Sequence, residues 1–190
     1  MKWGIYWMII KKPENFNEQI EQFGKCLEKF NKIHSITNYN DLSAVIEDSL
    51  EGLKFITEMP KVAIDIGSGA GFPAIFLAMV LPYTKWHLFE PNTKKAAFLT
   101  YAKVNLKLKN IIIHNTKIEN ETPFIADLIT SRAVMKVPDL IKISHGFFDT
   151  HTKFLFYKGS NVKDELGNLK AEIFENNMRK YALLKGNDVC

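Results

Sequence analysis

Three glycines at alternate positions, Gly67, Gly69 and Gly71, follow Asp65 in the stretch DIGSGAGFPAIFLA. Glycine at this density lets a backbone turn through positive φ and approach a ligand with no Cβ in the way. The apolar run KVAIDI precedes the loop and a helix-period apolar segment follows it, so the loop joins a strand to a helix. A second acid, Glu90, stands 25 positions after Asp65, at the end of the apolar run WHLFE. A carboxylate there can accept both hydroxyls of a ribose, which suits a nucleoside-bearing ligand. The dinucleotide fingerprint G-x-G-x-x-G would need a third glycine where Phe72 stands. An NAD-dependent oxidoreductase is therefore disfavoured.

These residues need a scaffold, and the chain spells one out. Phe16, Ile20, Phe23, Leu27 and Phe30 step by four and three along one helix face. Asp41 reads as the N-cap of a second helix carrying Leu42, Val45, Ile46, Leu50 and Leu53, and Pro60 closes this preface. From Lys61 short apolar runs alternate with helical segments. KVAIDI, WHLFE, NIIIH, ADLIT and KFLFYKG read as five strands, with YALL a possible sixth. Helices are expected over Phe72 to Leu81, from a Thr93 cap to about Leu108, over Pro138 to Ser144, and as a polar amphipathic helix from Val162 to Met178. This is an α/β chain with a mostly parallel sheet and helices on both faces. The expected division is a helical extension over 1–60, poorly ordered over 1–12, on a core over 61–190, the whole forming one compact domain. Ligands of such sheets lie outside the carboxyl ends of the strands, where the glycine loop falls.

Composition narrows the partners. The chain has 190 residues, 46% hydrophobic and 24% charged, with a net charge of +4, as in a globular protein with a mild preference for anionic partners. Cys26 and Cys190 are the two cysteines and are far apart, so neither a disulfide framework nor a zinc spacing is visible. A reducing cytoplasm, no metal and a monomer are the expectations. The opening MKWGIYWMII is followed at once by Lys11, Lys12 and Pro13, and its apolar run is far shorter than the ~20 residues that span a bilayer. Met8 is an alternative start. His34, His87, His114, His145 and His151 have no ligand spacing and read as structural.

The D-x-G-x-G-x-G pattern resembles the first motif of class I S-adenosyl-L-methionine (SAM) methyltransferases. Further fragments, in order along the chain, resemble one family within that class: FNKIHSIT, IEDSL, the glycine loop with its GFP, LFEPNTKKAAFL, DLITSRAV and FYKG. This is the bacterial ribosomal RNA methyltransferase family once called glucose-inhibited division protein B, whose members methylate N7 of a guanine in 16S rRNA. The resemblance covers about Phe30 to Gly159. Departures are Ala44 and Val45 where the family often has Arg-His, Ser35 for an Asn, and Val134 for an aromatic. The family closes on an antiparallel strand, for which the chain to Cys190 leaves room for only the first residues.

The resemblance implies SAM as cofactor, against Asp65, Gly67, Ser68, Gly69, Gly71 and Phe72, with Glu90 on the ribose and Ile118 and Glu119 at the adenine. It also implies 16S rRNA or the small ribosomal subunit as partner. Arg132, after the fourth strand, is the expected residue of the catalytic face, touching both cofactor and target. Its donor fork suits guanine O6 or a phosphate. Ser131, read as bonding the target or as a cap, and Lys158, read as touching the RNA backbone, are counted with Arg132 as catalytic residues. Lys94 and Lys95 open a helix beside the cofactor and are the expected RNA contacts. Lys103, Lys107 and Lys109 on that helix, with Lys11 and Lys12, support them weakly. N7 of guanine has no proton to remove, so the site needs positioning more than a base. No [DN]-P-P-[YF] tetrad occurs. A small-molecule or protein substrate, and a non-catalytic RNA-binding role, stay open.

Overall fold

The computed structural model describes residues 11–38, 42–176 and 179–189. The expected cap Asp41, the first ten residues, Met178 and Cys190 lie outside the described residues. Helices α1 (Phe16–His34) and α2 (Leu42–Glu51) and a 3-10 turn (Gly52–Phe55) precede the sheet. The chain continues through β1 (Val62–Ile66), α3 (Ala74–Val80), β2 (Lys85–Phe89), α4 (Thr93–Asn105) and β3 (Ile111–His114). After a 3-10 turn (Ile118–Asn120) come β4 (Leu128–Arg132), α5 (Val137–Ile143), β5 (Lys153–Lys158) and α6 (Val162–Leu166). A hairpin of β6 (Glu172–Glu175) and β7 (Lys180–Lys185) closes the fold.

The sheet order is β3-β2-β1-β4-β5-β7-β6. Strands β1 to β5 pair in parallel, whereas β7 runs antiparallel beside β5 and β6 beside β7. The strand order changes direction between β1 and β4, and a parallel sheet opens a crevice at the carboxyl ends of such a pair.

Both faces of the sheet are buried. On one, Ala63, Trp86, Leu128 and Leu155 share a cluster with Phe23, Phe76 and Phe98. On the other, Ile64, Ile129 and Phe154 meet Leu140, Phe147 and Val162. Successive strand residues point to opposite faces, so the central strands β1, β2, β4, β5 and β7 feed both clusters. The N-terminal helices are part of the first cluster. Phe23 of α1 is fully buried, with edge-on ring contacts to Phe72, Phe76 and Phe98 at centroid distances of 5.8, 5.2 and 5.8 Å.

Four expectations about elements need correction. Asn92, not Thr93, caps α4, its Oδ1 accepting from the backbone N of Lys94 and Lys95 at 3.0 and 3.2 Å. That helix ends at Asn105, because the chain turns through positive φ at Lys107. The long helix from Val162 stops at Leu166, where Gly167 adopts φ +60. Glu172 to Glu175 instead pair with β7, and Phe174 stacks on Phe55 at 4.1 Å. The apolar spacing there fits a helix as well as a strand, and pairing decides it. Finally, the closing antiparallel strand is not curtailed: all six residues of β7 pair along β5.

Phe23→Ala removes the ring that joins α1 to α3 and α4. A loss of about 3–5 kcal/mol and a fall in Tm of roughly 10 °C are expected, read by thermal melting.

Candidate functional site

The glycine loop leaves β1 at its carboxyl end, and the backbone N of Gly67 and of Ser68 both bond the Phe89 carbonyl, at 2.9 and 3.1 Å. The loop is thereby tied to the end of β2. All three glycines have positive φ, but for different reasons. A Cβ on Gly67 would lie 2.6 Å from Val134 Cγ2, across the crevice. A Cβ on Gly69 would meet nothing nearer than 3.8 Å, so Gly69 presents open backbone to the cleft. A Cβ on Gly71 would lie 2.6 Å from Ile75 Cδ1 and 3.2 Å from Leu99 Cδ2. Gly71 is thus needed for loop-to-helix packing.

The cleft has a volume of about 420 Å³ and opens between the ends of β1 and β4. Gly67, Ser68, Gly69, Phe72, Glu90 and Arg132 line it, joined by Lys95 and Val134. Glu90 is buried and held from two sides. Its Oε2 accepts from Gly69 N at 2.7 Å and its Oε1 from Asn92 N at 2.8 Å. Each carboxylate oxygen keeps further acceptor capacity for a ligand.

Asp65 sits behind this wall, 1% exposed. Its Oδ1 accepts from Thr130 Oγ1 at 2.7 Å, while its Oδ2 is buried with no hydrogen-bond partner among the described residues. Burial pushes its pKa up to about 7, against the Thr130 hydrogen bond and the nearby Ser68 hydroxyl, which itself donates to the Asp65 backbone carbonyl; the Glu90 charge adds to the rise and Arg132 opposes it. A buried acid with an unsatisfied oxygen is poised for a cation close by.

Beside this cleft lies a smaller, more apolar room of about 150 Å³, lined by Ile66, Phe89, Ile118 and Glu119. It shares Gly67, Pro91 and Val134 with the cleft, so Val134 stands between the two. Asn115 Nδ2 donates to the carbonyls of Glu90 and Pro91, at 3.0 and 3.2 Å, holding the turn that joins them. A larger depression of about 510 Å³ between α1 and α2 has neither glycine loop nor buried acid.

Other expected residues fall differently. Arg132 ends β4 with its side chain only 7% exposed and its Nη1 3.2 Å from Asp48 Oδ2. Its guanidinium carbon lies 5.9 Å from the centre of the Phe72 ring. Ser131 is buried and its Oγ donates to the Ile66 carbonyl at 3.0 Å. It ties β4 to β1. Lys158 is also buried: its Nζ donates to the Met135 carbonyl and to Glu165 Oε2, the latter at 2.7 Å. In this position Lys158 braces the turn from β4 to α5. Lys94 is exposed on the first turn of α4, one residue from the cleft-lining Lys95.

Sequence reasoning passed over several positions. Asn31 clamps the backbone of Thr37 through two 3.0 Å bonds, setting Ile36 and Thr37 on the cleft wall. FNKIHSIT carried that signal, in the spacing of Asn31 and Thr37. His87 and His114 share a 2.9 Å hydrogen bond, and His114 Nδ1 meets Glu121 Oε2 at 2.9 Å. Burial, with help from His114, pushes the His87 pKa down to about 4. These three residues anchor the far end of the 115–121 loop and have no spacing in sequence that would group them. Cys26 is buried in the cluster beneath α1, where desolvation raises its thiol pKa, so it supplies no nucleophile to the cleft.

An open parallel sheet with a glycine loop and an acid ending β2 defines the class I SAM methyltransferase fold. A solved ribosomal protein L11 methylase from Lactobacillus delbrueckii subsp. bulgaricus has this fold, with a TM-score of 0.60 at 11% identity over 77% of this chain and 80% of that one. Residues 16–189 match the sequence model described as rRNA small subunit methyltransferase G. A protein of that name from Campylobacter curvus is 51% identical over 93% of this chain and 95% of its own length. Its counterpart from Helicobacter pylori HPAG1 is 40% identical over 92% and 99%. The chain belongs to the rRNA small subunit methyltransferase G family and is a SAM-dependent enzyme. No helix among the described residues is long and apolar enough to cross a membrane. Nor do the described residues include a group of three or more His, Cys, Asp or Glu able to hold a metal.

The Asp65 site makes a sign-definite prediction. With a folded pKa near 7 against an unfolded value of about 3.9, its contribution to stability is complete below about pH 4 and is lost as pH rises through 7. Asp65→Asn lacks this loss. Melting curves of the ligand-free proteins will show Tm(Asp65→Asn) minus Tm(wild type) increasing from pH 5 to pH 8. A difference that does not change with pH would contradict the assignment.

Proposed function

We propose that this chain transfers the methyl group of SAM to N7 of a guanine in small-subunit (16S) rRNA, acting as a monomer in the cytoplasm. SAM, when bound, supplies an electrophilic methyl group on a cationic sulfur. Gly67, Ser68 and Gly69 bring backbone against its methionine part, and Glu90 accepts from its ribose. Ile118 and Glu119 border the room for its adenine, and Phe72 lines the larger cleft beside it. The unsatisfied oxygen of Asp65 and the open backbone of Gly69 are the features that fit this group. Asp65 acts from behind the wall, where a carboxylate in a low-dielectric setting favours a positive charge nearby.

The family resemblance carries the choice of target atom, and the cleft wall fits it: no thiol, no histidine and no lysine except Lys95 at its rim line it, and its one carboxylate, Glu90, already accepts from two backbone N–H groups. A guanine N7 lone pair can displace the sulfur directly. The N7–carbon bond forms as the carbon–sulfur bond breaks, and the positive charge moves from sulfur to the purine. No proton is transferred, so the protein's part is alignment and exclusion of water. Arg132, on the cleft wall, supports the reading as a donor for O6 of the same base. Lys94 and Lys95, at the mouth, suit the RNA phosphates.

The test is methyl transfer from labelled SAM to small-subunit particles lacking the modification, with the product mapped by reduction and strand cleavage at 7-methylguanine. A single labelled guanine is expected, falling about 100-fold in Arg132→Ala. Changing both Lys94 and Lys95 to Ala is expected to weaken RNA binding and to lower the slope of log affinity against log salt by between about 1 and 2. Thermal protection by SAM without label in the RNA would overturn the substrate assignment in favour of a small molecule or protein.

A further inference from the structure

The element IEDS lies in α2, far from the glycine loop in sequence, and its aspartate is buried against the site. Asp48 is 3% exposed, yet four groups from other parts of the chain converge on it and its neighbour. Arg132 Nη1 approaches Asp48 Oδ2 at 3.2 Å from the end of β4. Arg179, just before β7, donates from Nε to Oδ1 and Oδ2 at 2.8 and 2.7 Å. Tyr181, in β7, donates its hydroxyl to Oδ1 at 3.0 Å. Tyr157 of β5 donates to the Ser49 carbonyl at 2.7 Å, fixing the helix turn that carries the aspartate.

Burying a carboxylate among guanidinium groups is a costly way to join helices to a sheet, and apolar residues of similar volume commonly do so as well or better. The arrangement does what apolar packing cannot: a fixed negative charge draws one nitrogen of the Arg132 fork, Nη1, toward α2. Of the two arginines on this carboxylate, Arg132 lines the cleft, whereas Arg179 holds the carboxylate from the side of the hairpin. Burial and the neighbouring Asp48 charge push the Tyr181 phenol up, so its hydroxyl remains a neutral donor to the carboxylate.

We infer that Asp48 is a positioning residue for methyl transfer, setting the Arg132 guanidinium in the cleft through their ion pair, with Arg179 and Tyr181 fixing the carboxylate in turn. The inference rests on the reading that Arg132 faces the target base. It makes the N-terminal helices part of the catalytic apparatus, and gives the C-terminal hairpin a share in it.

Asp48→Asn, Arg132→Ala and the double variant of the whole chain test it. The measurements are Tm, the Kd for SAM by calorimetry, and kcat and KM on unmethylated small-subunit particles. Asp48→Asn is expected to keep the Kd for SAM within about twofold while kcat falls about tenfold or more; the double variant is expected to be no slower than Arg132→Ala alone. Losses that multiply in the double variant would overturn the inference, as would a loss of SAM affinity in step with activity. Full turnover in Arg132→Ala would sink the reading of Arg132, and this inference with it, which is distinct from a multiplicative loss. Should Asp48→Asn fail to fold, Asp48→Glu keeps the charge and moves the carboxylate by one methylene. Reduced kcat with intact SAM binding then supports positioning, and unchanged kcat refutes it.

Discussion

The hydrogen bonds that Glu90 accepts from Gly69 and Asn92 hold the cleft in shape. One carboxylate, at the end of β2, fixes the glycine loop on one side and the start of α4 on the other. The loop cannot close over the strand end, and α4 cannot turn its first residues away from the cleft mouth. Everything proposed for the site inherits this constraint: the open backbone at Gly69, the ribose acceptor, and the lysines on the first turn of α4. A carboxylate can serve as brace and acceptor together because each oxygen has more than one lone pair.

Behind that brace the protein tolerates unfavourable electrostatics. Asp65 is buried with an unsatisfied oxygen, and Asp48 gathers two arginines away from water. Neither arrangement would be chosen for stability alone. Both lie at the carboxyl ends of β1 and β4, on either side of the crevice where the strand order changes direction. Poor local stability concentrated at one crevice is what a site organised around a bound cation and an aligned donor would produce.

The strands and the glycine loop were legible because their evidence is local. Short apolar runs, a glycine every second residue and an acid at the ends of the first two strands need no partner to be recognised. What escaped depended on partners distant in sequence. Lys158 at a strand end reads the same whether it meets solvent or Glu165, and only the helix after β5 decides it. Gly71 belongs to the same pattern as Gly69, but Ile75 and Leu99 make it a packing residue. Glu172 to Glu175 carry a spacing that suits a helix until β7 arrives beside them. The family resemblance reached further than local patterns did, since FNKIHSIT and IEDS contain the Asn31 clamp and the Asp48 node, although the purpose of either appears only in three dimensions.

The account turns on Asp65 as a buried acid that releases its proton to solvent when a cation binds nearby. Calorimetric titration of the protein with SAM near pH 6.5, in two buffers of different ionisation enthalpy, measures that proton directly. With Asp65 pushed up to about 7, the account predicts release of most of a proton on binding, seen as a buffer-dependent enthalpy. The same binding enthalpy in both buffers would mean that no proton leaves, and would contradict the role given to this acid.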